Sequence, residues 1–330
     1  MNTKSKLVHV LLAIAGLSAG VSAPAQVGAP ASSAVAAAPA PAVVGQGTQY
    51  TAKGADTCLE CHDDESASYS AAAIFKGKHG HRGDKRAPFG AGGLQCEACH
   101  GPGATHARNK KPESINSLRA DPSRTAEQRN QPCLGCHQST SRVGWHAGAH
   151  ERGGVACSDC HKVHQAGDPM LAKASEAEVC YACHRERRAD FQKPSSHPVR
   201  QGLMGCSDCH SPHGSTSAAM LIKPTLNQTC FTCHAEKRGP LLWEHAPVAE
   251  DCSLCHSAHG SVRKALLTKS PPLLCQQCHA PADHPSAART SAGLPGGSAG
   301  GSIFLAAGGC INCHSQVHGS NHPAGAKLMR

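Results

Sequence analysis

All 20 cysteines of this 330-residue chain fall into a single pattern, C-x-x-C-H, which occurs ten times. In order the motifs are Cys58/Cys61/His62, Cys96/Cys99/His100, Cys133/Cys136/His137, Cys157/Cys160/His161 and Cys180/Cys183/His184. Cys206/Cys209/His210, Cys230/Cys233/His234, Cys252/Cys255/His256, Cys275/Cys278/His279 and Cys310/Cys313/His314 complete the set. Two thiols three positions apart can add across the two vinyl groups of one haem, and the adjacent histidine then reaches the iron from the same side. A single motif would be ambiguous, because C-x-x-C also serves zinc ribbons and thioredoxin-like redox sites. Neither of those, nor a disulfide framework, requires a histidine after every second cysteine. The pattern therefore predicts ten covalently attached haem c groups, with the ten motif histidines as proximal iron ligands.

The sixth iron ligand separates an electron carrier from an enzyme. An open position can bind substrate, whereas a second protein ligand closes the iron and leaves outer-sphere electron transfer. Beyond the motifs, 14 histidines remain, of which His9 lies in the N-terminal leader. Ten of the rest recur with the even motifs. His106, His164, His213, His259 and His318 lie a few residues downstream of each, and His79, His150, His197, His245 and His284 lie ahead of each. The chain reads as five units, each with two haems and two spare histidines, which gives ten distal ligands for ten irons. Each downstream histidine is too close in sequence to cross to the far side of its own haem, so it is expected to ligate a neighbouring one. His81, His146 and His322 are left as surface or haem-edge residues, with His322 the alternative to His318 or His284. Met170, Met204, Met220 and Met329 show no repeat, so all-histidine ligation and low potentials are expected.

The elements that must position these groups are sparse. The chain has 5 Phe, 2 Trp and 3 Tyr, against 34 Gly and 22 Pro. A domain of this length normally builds its core from large apolar side chains, so the flat apolar haems must fill the interior instead. Apolar periodicity never persists, and the expected fold is a multihaem cytochrome c with short helices and coil wrapped around an elongated stack of haems. Residues 1–25 read as a secretory signal peptide: Lys4 and Lys6, an apolar run from Leu7 to Leu17 too short to span a bilayer, and Ala23-Pro24-Ala25 before the cleavage point. Residues 26–49 read as an Ala/Pro-rich flexible linker, residues 50–330 as the decahaem domain, and Ser291–Ser302 as a Gly-rich break within it. Asn227-Gln228-Thr229 matches a glycosylation acceptor but carries no weight in an exported bacterial chain.

The formal charge of +9 does not imply nucleic acid as a partner. Loss of the leader removes two lysines, and twenty haem propionates outweigh ten ferric irons, so the mature holoprotein is net negative. Arg185, Arg187 and Arg188 are candidates to pair with propionates.

Several runs carry a resemblance. HAEKRGPLLWEHAPV from His234 to Val248, KGADTCLECH from Lys53 to His62, SSHP around His197, LCQQCHA from Leu274 to Ala280, and CINCHSQVHGSNHP from Cys310 to Pro323 resemble the decahaem cytochromes of outer-membrane porin–cytochrome conduits, the MtrA, MtoA, PioA and DmsE group. The likeness covers about residues 50–330 and all ten motifs in order. It implies a periplasmic cytochrome threaded through an outer-membrane β-barrel porin. Its expected partners are that porin, periplasmic or inner-membrane cytochromes, and an outer-surface multihaem cytochrome or extracellular mineral. His197, His213, His245 and His259 match the family's distal ligands. The direction of flow, towards ferric minerals or from ferrous iron, is not written in any motif. A free periplasmic shuttle and a catalytic multihaem reductase are the alternatives; the second needs an open iron, which no variant attachment motif marks here.

Overall fold

Each C-x-x-C-H motif in the computed structural model closes into one helical turn, with the histidine N–H donating to the first cysteine's carbonyl at 2.8–3.1 Å in all ten. Residues three and four apart share one side of such a turn, so both thiols and the imidazole face the same way. The structure describes residues 47–63, 70–120, 122–139, 142, 144–279 and 309–329. The leader, nearly all of the Ala/Pro-rich segment, His284 and the Gly-rich break lie outside the described residues.

The described residues form eleven short helices: α1 (Ala55–Leu59), α2 (Glu97–His100), α3 (Ala104–Asn109), α4 (Ala126–Leu134), α5 (Ala149–Arg152) and α6 (Cys157–Cys160), then α7 (Lys173–Tyr181), α8 (Arg185–Phe191), α9 (Leu226–Cys230), α10 (Ala246–Glu250) and α11 (Pro271–Cys275). None exceeds nine residues. Among the described residues there are no strands, only four isolated bridges. Odd and even motifs differ in how they are built. The first cysteine of each odd motif sits at or near the end of a helix (α1, α4, α7, α9 and α11). Four even motifs form one turn straight out of extended chain, as α6 and the 3-10 turns Cys206–Asp208, Cys252–Leu254 and Cys310–Asn312, whereas α2 follows the left-handed Gln95 (φ 54°). The α4 start is fixed by a reciprocal cap, in which Thr125 Oγ1 accepts from Gln128 N and Gln128 Oε1 accepts from Thr125 N.

Apolar packing is thin. One cluster joins Ala177, Tyr181, Phe191 and Val199, and another joins Ala55, Ile74 and Phe89. Buried polar side chains take over the job of fastening consecutive motifs. Asn130, three residues before Cys133, accepts from Cys157 N at 2.7 Å, and Asn227, three before Cys230, accepts from Cys252 N at 2.8 Å. Glu176, four before Cys180, accepts from Ser207 N at 2.7 Å and Ser207 Oγ at 3.0 Å. Asn227 is thus an internal clamp, 8% exposed, which removes it as a glycosylation site.

Close backbone crossings complete the framework. Gly214 and Gly260 each follow a downstream histidine and have φ of +105° and +149°. A Cβ at Gly214 would meet Gly144 O at 1.9 Å, and one at Gly260 would meet Asp190 O at 2.1 Å. Only glycine allows both the conformation and the approach.

Candidate haem sites

The imidazoles of nine proximal histidines each face a second imidazole. Ring-centre separations are 6.2 Å for His62–His106, 6.2 Å for His100–His164, 5.9 Å for His137–His79, 6.1 Å for His161–His213 and 6.2 Å for His184–His150. They are 6.0 Å for His210–His259, 6.4 Å for His234–His197, 6.1 Å for His256–His318 and 6.1 Å for His279–His245. A metal bound by two imidazoles on opposite sides, at about 2.0–2.1 Å per nitrogen with about 1.1 Å more to each ring centre, separates the rings by about 6.3 Å. Each pair therefore fits one iron, and the two thiols beside each proximal ring fit one haem. His284 lies outside the described residues. His81, His146 and His322 are exposed; His146 Nδ1 meets Glu151 at 2.9 Å, and His322 Nδ1 accepts from Ala324 N.

Ring orientation is fixed from behind. Nδ1 donates to a backbone carbonyl in His100 (Asn116 O, 2.8 Å), His210 (Ala219 O, 2.8 Å), His256 (Ala265 O, 2.7 Å) and His314 (Lys327 O, 2.7 Å). The same holds for His106, His150, His197 and His245, whose acceptors are Lys111 O, Pro212 O, Ala258 O and Val317 O at 2.8–3.0 Å. With the proton committed at Nδ1, Nε2 presents its lone pair to a metal. Burial pushes the His100, His213, His259 and His318 imidazoles below their ordinary range, which favours the neutral, ligating form. His161 differs: its Nδ1 donates to a carboxylate, Asp168 Oδ2, at 2.6 Å. Burial pushes that carboxyl up, but the hydrogen bonds from His161 and Met170 N outweigh it and hold Asp168 below its ordinary value.

The pairs interleave along the chain. His100, His161, His210 and His256, all of even motifs, meet the downstream histidine of the next even motif. His137, His184, His234 and His279, all of odd motifs, meet the histidine that lies ahead of the preceding even motif. His62, at the start, meets His106. Motif 4 therefore contributes His161 to one pair and His164 to another.

Cysteine contacts order the sites. First cysteines lie side by side between motifs 1 and 2 (Cys58, Cys96), 3 and 4 (Cys133, Cys157), 5 and 6 (Cys180, Cys206), 7 and 8 (Cys230, Cys252) and 9 and 10 (Cys275, Cys310). Second cysteines lie close enough to feel each other's charge between motifs 2 and 3 (Cys99, Cys136), 4 and 5 (Cys160, Cys183), 6 and 7 (Cys209, Cys233) and 8 and 9 (Cys255, Cys278). Each inner motif thus has one cysteine near its predecessor and the other near its successor, from first to tenth.

The motif cysteines differ in how far they are covered. Cys61, Cys136, Cys183, Cys233, Cys278 and Cys313 are exposed, while the other motif cysteines are half-buried. Five of the six are second cysteines of odd motifs, which stand just beyond the end of a helix. Cys61 and Cys313 are the second cysteines of the first and last motifs. Both keep the attachment turn, with Cys61 N donating to Cys58 O and Cys313 N to Cys310 O at 3.2 Å. The succession of sites thus ends on an exposed thiol at each side.

Two of the three arginines proposed as propionate partners engage protein acids: Arg187 pairs with Asp190 at 2.8 Å, while Arg188 pairs with Glu178 and lies 5.3 Å over the Tyr181 ring. Asp168, Glu176, Asn130 and Asn227 are the residues that motif reading missed. The repeated runs Asn130-Gln131-Pro132-Cys133 and Asn227-Gln228-Thr229-Cys230 were the available signal for the two asparagine clamps.

Two family models match the chain: the doubled CXXCH motif over residues 197–239 and 245–284, and the NrfB-like c-type cytochrome over residues 96–178. The chain is 50% identical over 281 residues to the multiheme cytochrome MtrA of Shewanella baltica (strain OS185), covering 85% of this chain and 83% of that one. It is 26% identical over 149 residues to the cytochrome c-type protein NrfB of Haemophilus influenzae, covering 40% of this chain and 65% of that one.

Proposed function

Because the chain belongs to the MtrA family of multihaem cytochromes, electron-transfer proteins rather than enzymes, we propose that it carries electrons between periplasm and cell exterior on ten haems inside an outer-membrane porin. Haem iron supplies one-electron redox chemistry; the polypeptide holds each iron between two imidazoles and sets the order of the haems. The observation that carries this reading is the unbroken succession of cysteine contacts from Cys58 to Cys310, combined with nine imidazole pairs at iron-binding separation. Under the interleaving rule His314 is the one proximal ligand left at the end of the chain, and His284 is the one of the ten candidate distal histidines not yet paired, so these two would close the tenth site, with His322 the alternative to His284.

Physical chemistry supports the porin. No helix among the described residues is long and apolar enough to cross a membrane. The backbone is largely irregular, and unpaired backbone groups facing lipid cost several kcal/mol each. A closed barrel supplies paired backbone towards lipid and a polar lumen towards the cytochrome. Periplasmic or inner-membrane cytochromes at one end, and an outer-surface multihaem cytochrome or a mineral at the other, complete the circuit.

Sealed liposomes loaded with a reducible dye test the proposal. Cytochrome together with its porin should reduce the internal dye from an external donor, and cytochrome alone should not. Equal transfer with and without the porin refutes the conduit. Intact mass of the matured protein should exceed that of the polypeptide by ten haems, and nine or fewer refutes the count.

A further inference from the structure

After motifs 6 and 8 the chain forms the same loop. H-S-P-H-G-S-T-S-A-A-M-L (His210–Leu221) and H-S-A-H-G-S-V-R-K-A-L-L (His256–Leu267) each place an alanine in the left-handed region, Ala219 at φ 53° and Ala265 at φ 54°. The carbonyls of these alanines accept the Nδ1 protons of His210 and His256. After motif 4 the corresponding run, H-K-V-H-Q-A-G-D-P-M-L (His161–Leu171), is one residue shorter. There the Asp168 side chain takes the carbonyl's place, with Oδ2 2.6 Å from His161 Nδ1. Its Oδ1 is held by Met170 N at 3.0 Å and Lys162 N at 3.4 Å, and the side chain is 15% exposed. The nearby cation, Lys162, has its Nζ on Ser158 O and Asp159 O.

The geometry points to Asp168 as a positioning residue that lowers the reduction potential of the haem attached through Cys157 and Cys160. The inference rests on the reading that His161 and His213 hold that iron. A carbonyl offers a partial charge to the imidazole N–H, whereas a carboxylate offers a full one in a charge-assisted bond. The imidazole becomes a stronger donor, and the ferric state, which carries one more positive charge than the ferrous, gains more from it. This haem lies between those of motifs 3 and 5, which it meets through Cys133–Cys157 and Cys160–Cys183. A low potential inside the chain places an uphill step before an electron arriving from either side. Asp168 thus sets the rate of passage without favouring a direction.

The test is a spectroelectrochemical titration of the full ten-haem protein, with magnetic resonance of its oxidised form. Asp168→Asn keeps size and an acceptor oxygen but removes the charge. One midpoint should rise, by at least a tenfold change in that haem's oxidised-to-reduced ratio, which is 59 mV for one electron. Asp168→Glu should return it towards wild type, and haem content and low-spin count should stay unchanged. Replacing Gln165–Pro169 by the sequence of Gly214–Ala219, which restores a backbone carbonyl, carries the same expectation as Asp168→Asn. Ten low-spin haems with every midpoint unmoved in both variants overturn the role of Asp168. His213→Ala separates the two readings: it should open one iron to exogenous ligand, and a protein with no opened iron overturns the His161–His213 pair and with it this inference.

Discussion

Asn227→Ala tests whether buried polar clamps, rather than apolar packing, hold consecutive haem motifs together. The Asn227 side chain makes three hydrogen bonds, donating to Val248 O at 2.9 Å and Ala249 O at 3.1 Å and accepting from Cys252 N at 2.8 Å. A neutral hydrogen bond contributes about 1 kcal/mol net, and a buried group left unpaired costs about 1–3 kcal/mol. The residue is 8% exposed, so water replaces these partners poorly. The loss should be about 3 kcal/mol. With a slope of about 5 kcal/mol/M in guanidinium chloride for a chain of this length, the midpoint should fall by about 0.6 M. Asn227→Asp keeps the acceptor for Cys252 N and loses both donated bonds, so it should destabilise without matching the alanine pattern at motif 8. Asn130→Ala removes a 2.7 Å bond to Cys157 N and a long 3.4 Å bond to Val155 O, and should cost about 2 kcal/mol. Unfolding is followed by the loss of low-spin Soret absorbance in protein shown by mass to carry its full haem complement. An Asn227→Ala midpoint within about 0.1 M of wild type refutes the clamp, because a half-exposed or strained asparagine gives that result.

Three further outcomes follow from the geometry. His245→Ala should open one iron, that of His279, giving one high-spin signal and one perturbed potential while the other haems stay low-spin; a wholly low-spin spectrum refutes the pairing. Gly214→Ala forces a Cβ to within 1.9 Å of Gly144 O at φ +105° and should cost about 3 kcal/mol or more, read as a drop in haem-loaded protein and denaturant midpoint; Gly154→Ala, which has open space around its Cβ, should cost about 1–2 kcal/mol from backbone strain alone. Axial ring planes are near-parallel at 12–23° in five pairs, including His161–His213 and His256–His318, but 85° apart in His137–His79. Parallel planes split the iron's dπ orbitals and perpendicular planes leave them nearly degenerate. Low-temperature magnetic resonance should therefore show a majority of rhombic low-spin signals with a large-g signal that disappears in His79→Ala.

What could be read from the sequence was whatever is local. The C-x-x-C-H turn is complete within five residues, so attachment sites and proximal histidines stand in the open. The spare histidines were visible because they recur with the even motifs. Which imidazole meets which depends on where the chain crosses itself: His79 waits for His137, and His256 for His318. Those crossings are set by glycine contacts such as Gly214 on Gly144 and Gly260 on Asp190, for which a motif gives no distance. The exposure of the second cysteines of the odd motifs was illegible for the same reason, since ten identical motifs do not say which of them close a helix. Asp168 was hidden for another reason. Its role is held by a backbone carbonyl in the sister loops, and a carbonyl leaves no residue type to compare. The Asn and Glu clamps pair with backbone N–H groups, which are equally silent in sequence.

The interleaving bears on how the chain folds at all. The described apolar clusters hold four and three buried side chains, and helices of nine residues or fewer do not persist alone in water. What remains to offset the conformational entropy of ordering is the haem: its apolar faces, its two thioethers, and an iron that joins histidines far apart in sequence. Irons held by the paired imidazoles would close overlapping loops, since His164 faces His100 while its neighbour His161 faces His213. Removing one haem frees one distal histidine and weakens two neighbours; removing all leaves chain without a core. Replacement of all 20 motif cysteines by serine, which prevents covalent attachment, should give a polypeptide with a coil-like circular dichroism spectrum, no cooperative denaturant transition, and uniform rapid amide exchange. The polar clamps at Asn130, Asn227 and Glu176 should be inert in it, so that Asn227→Ala changes nothing measurable in the serine chain. A cooperative transition in that chain, shifted by Asn227→Ala as in the holoprotein, refutes the coupling of folding to haem.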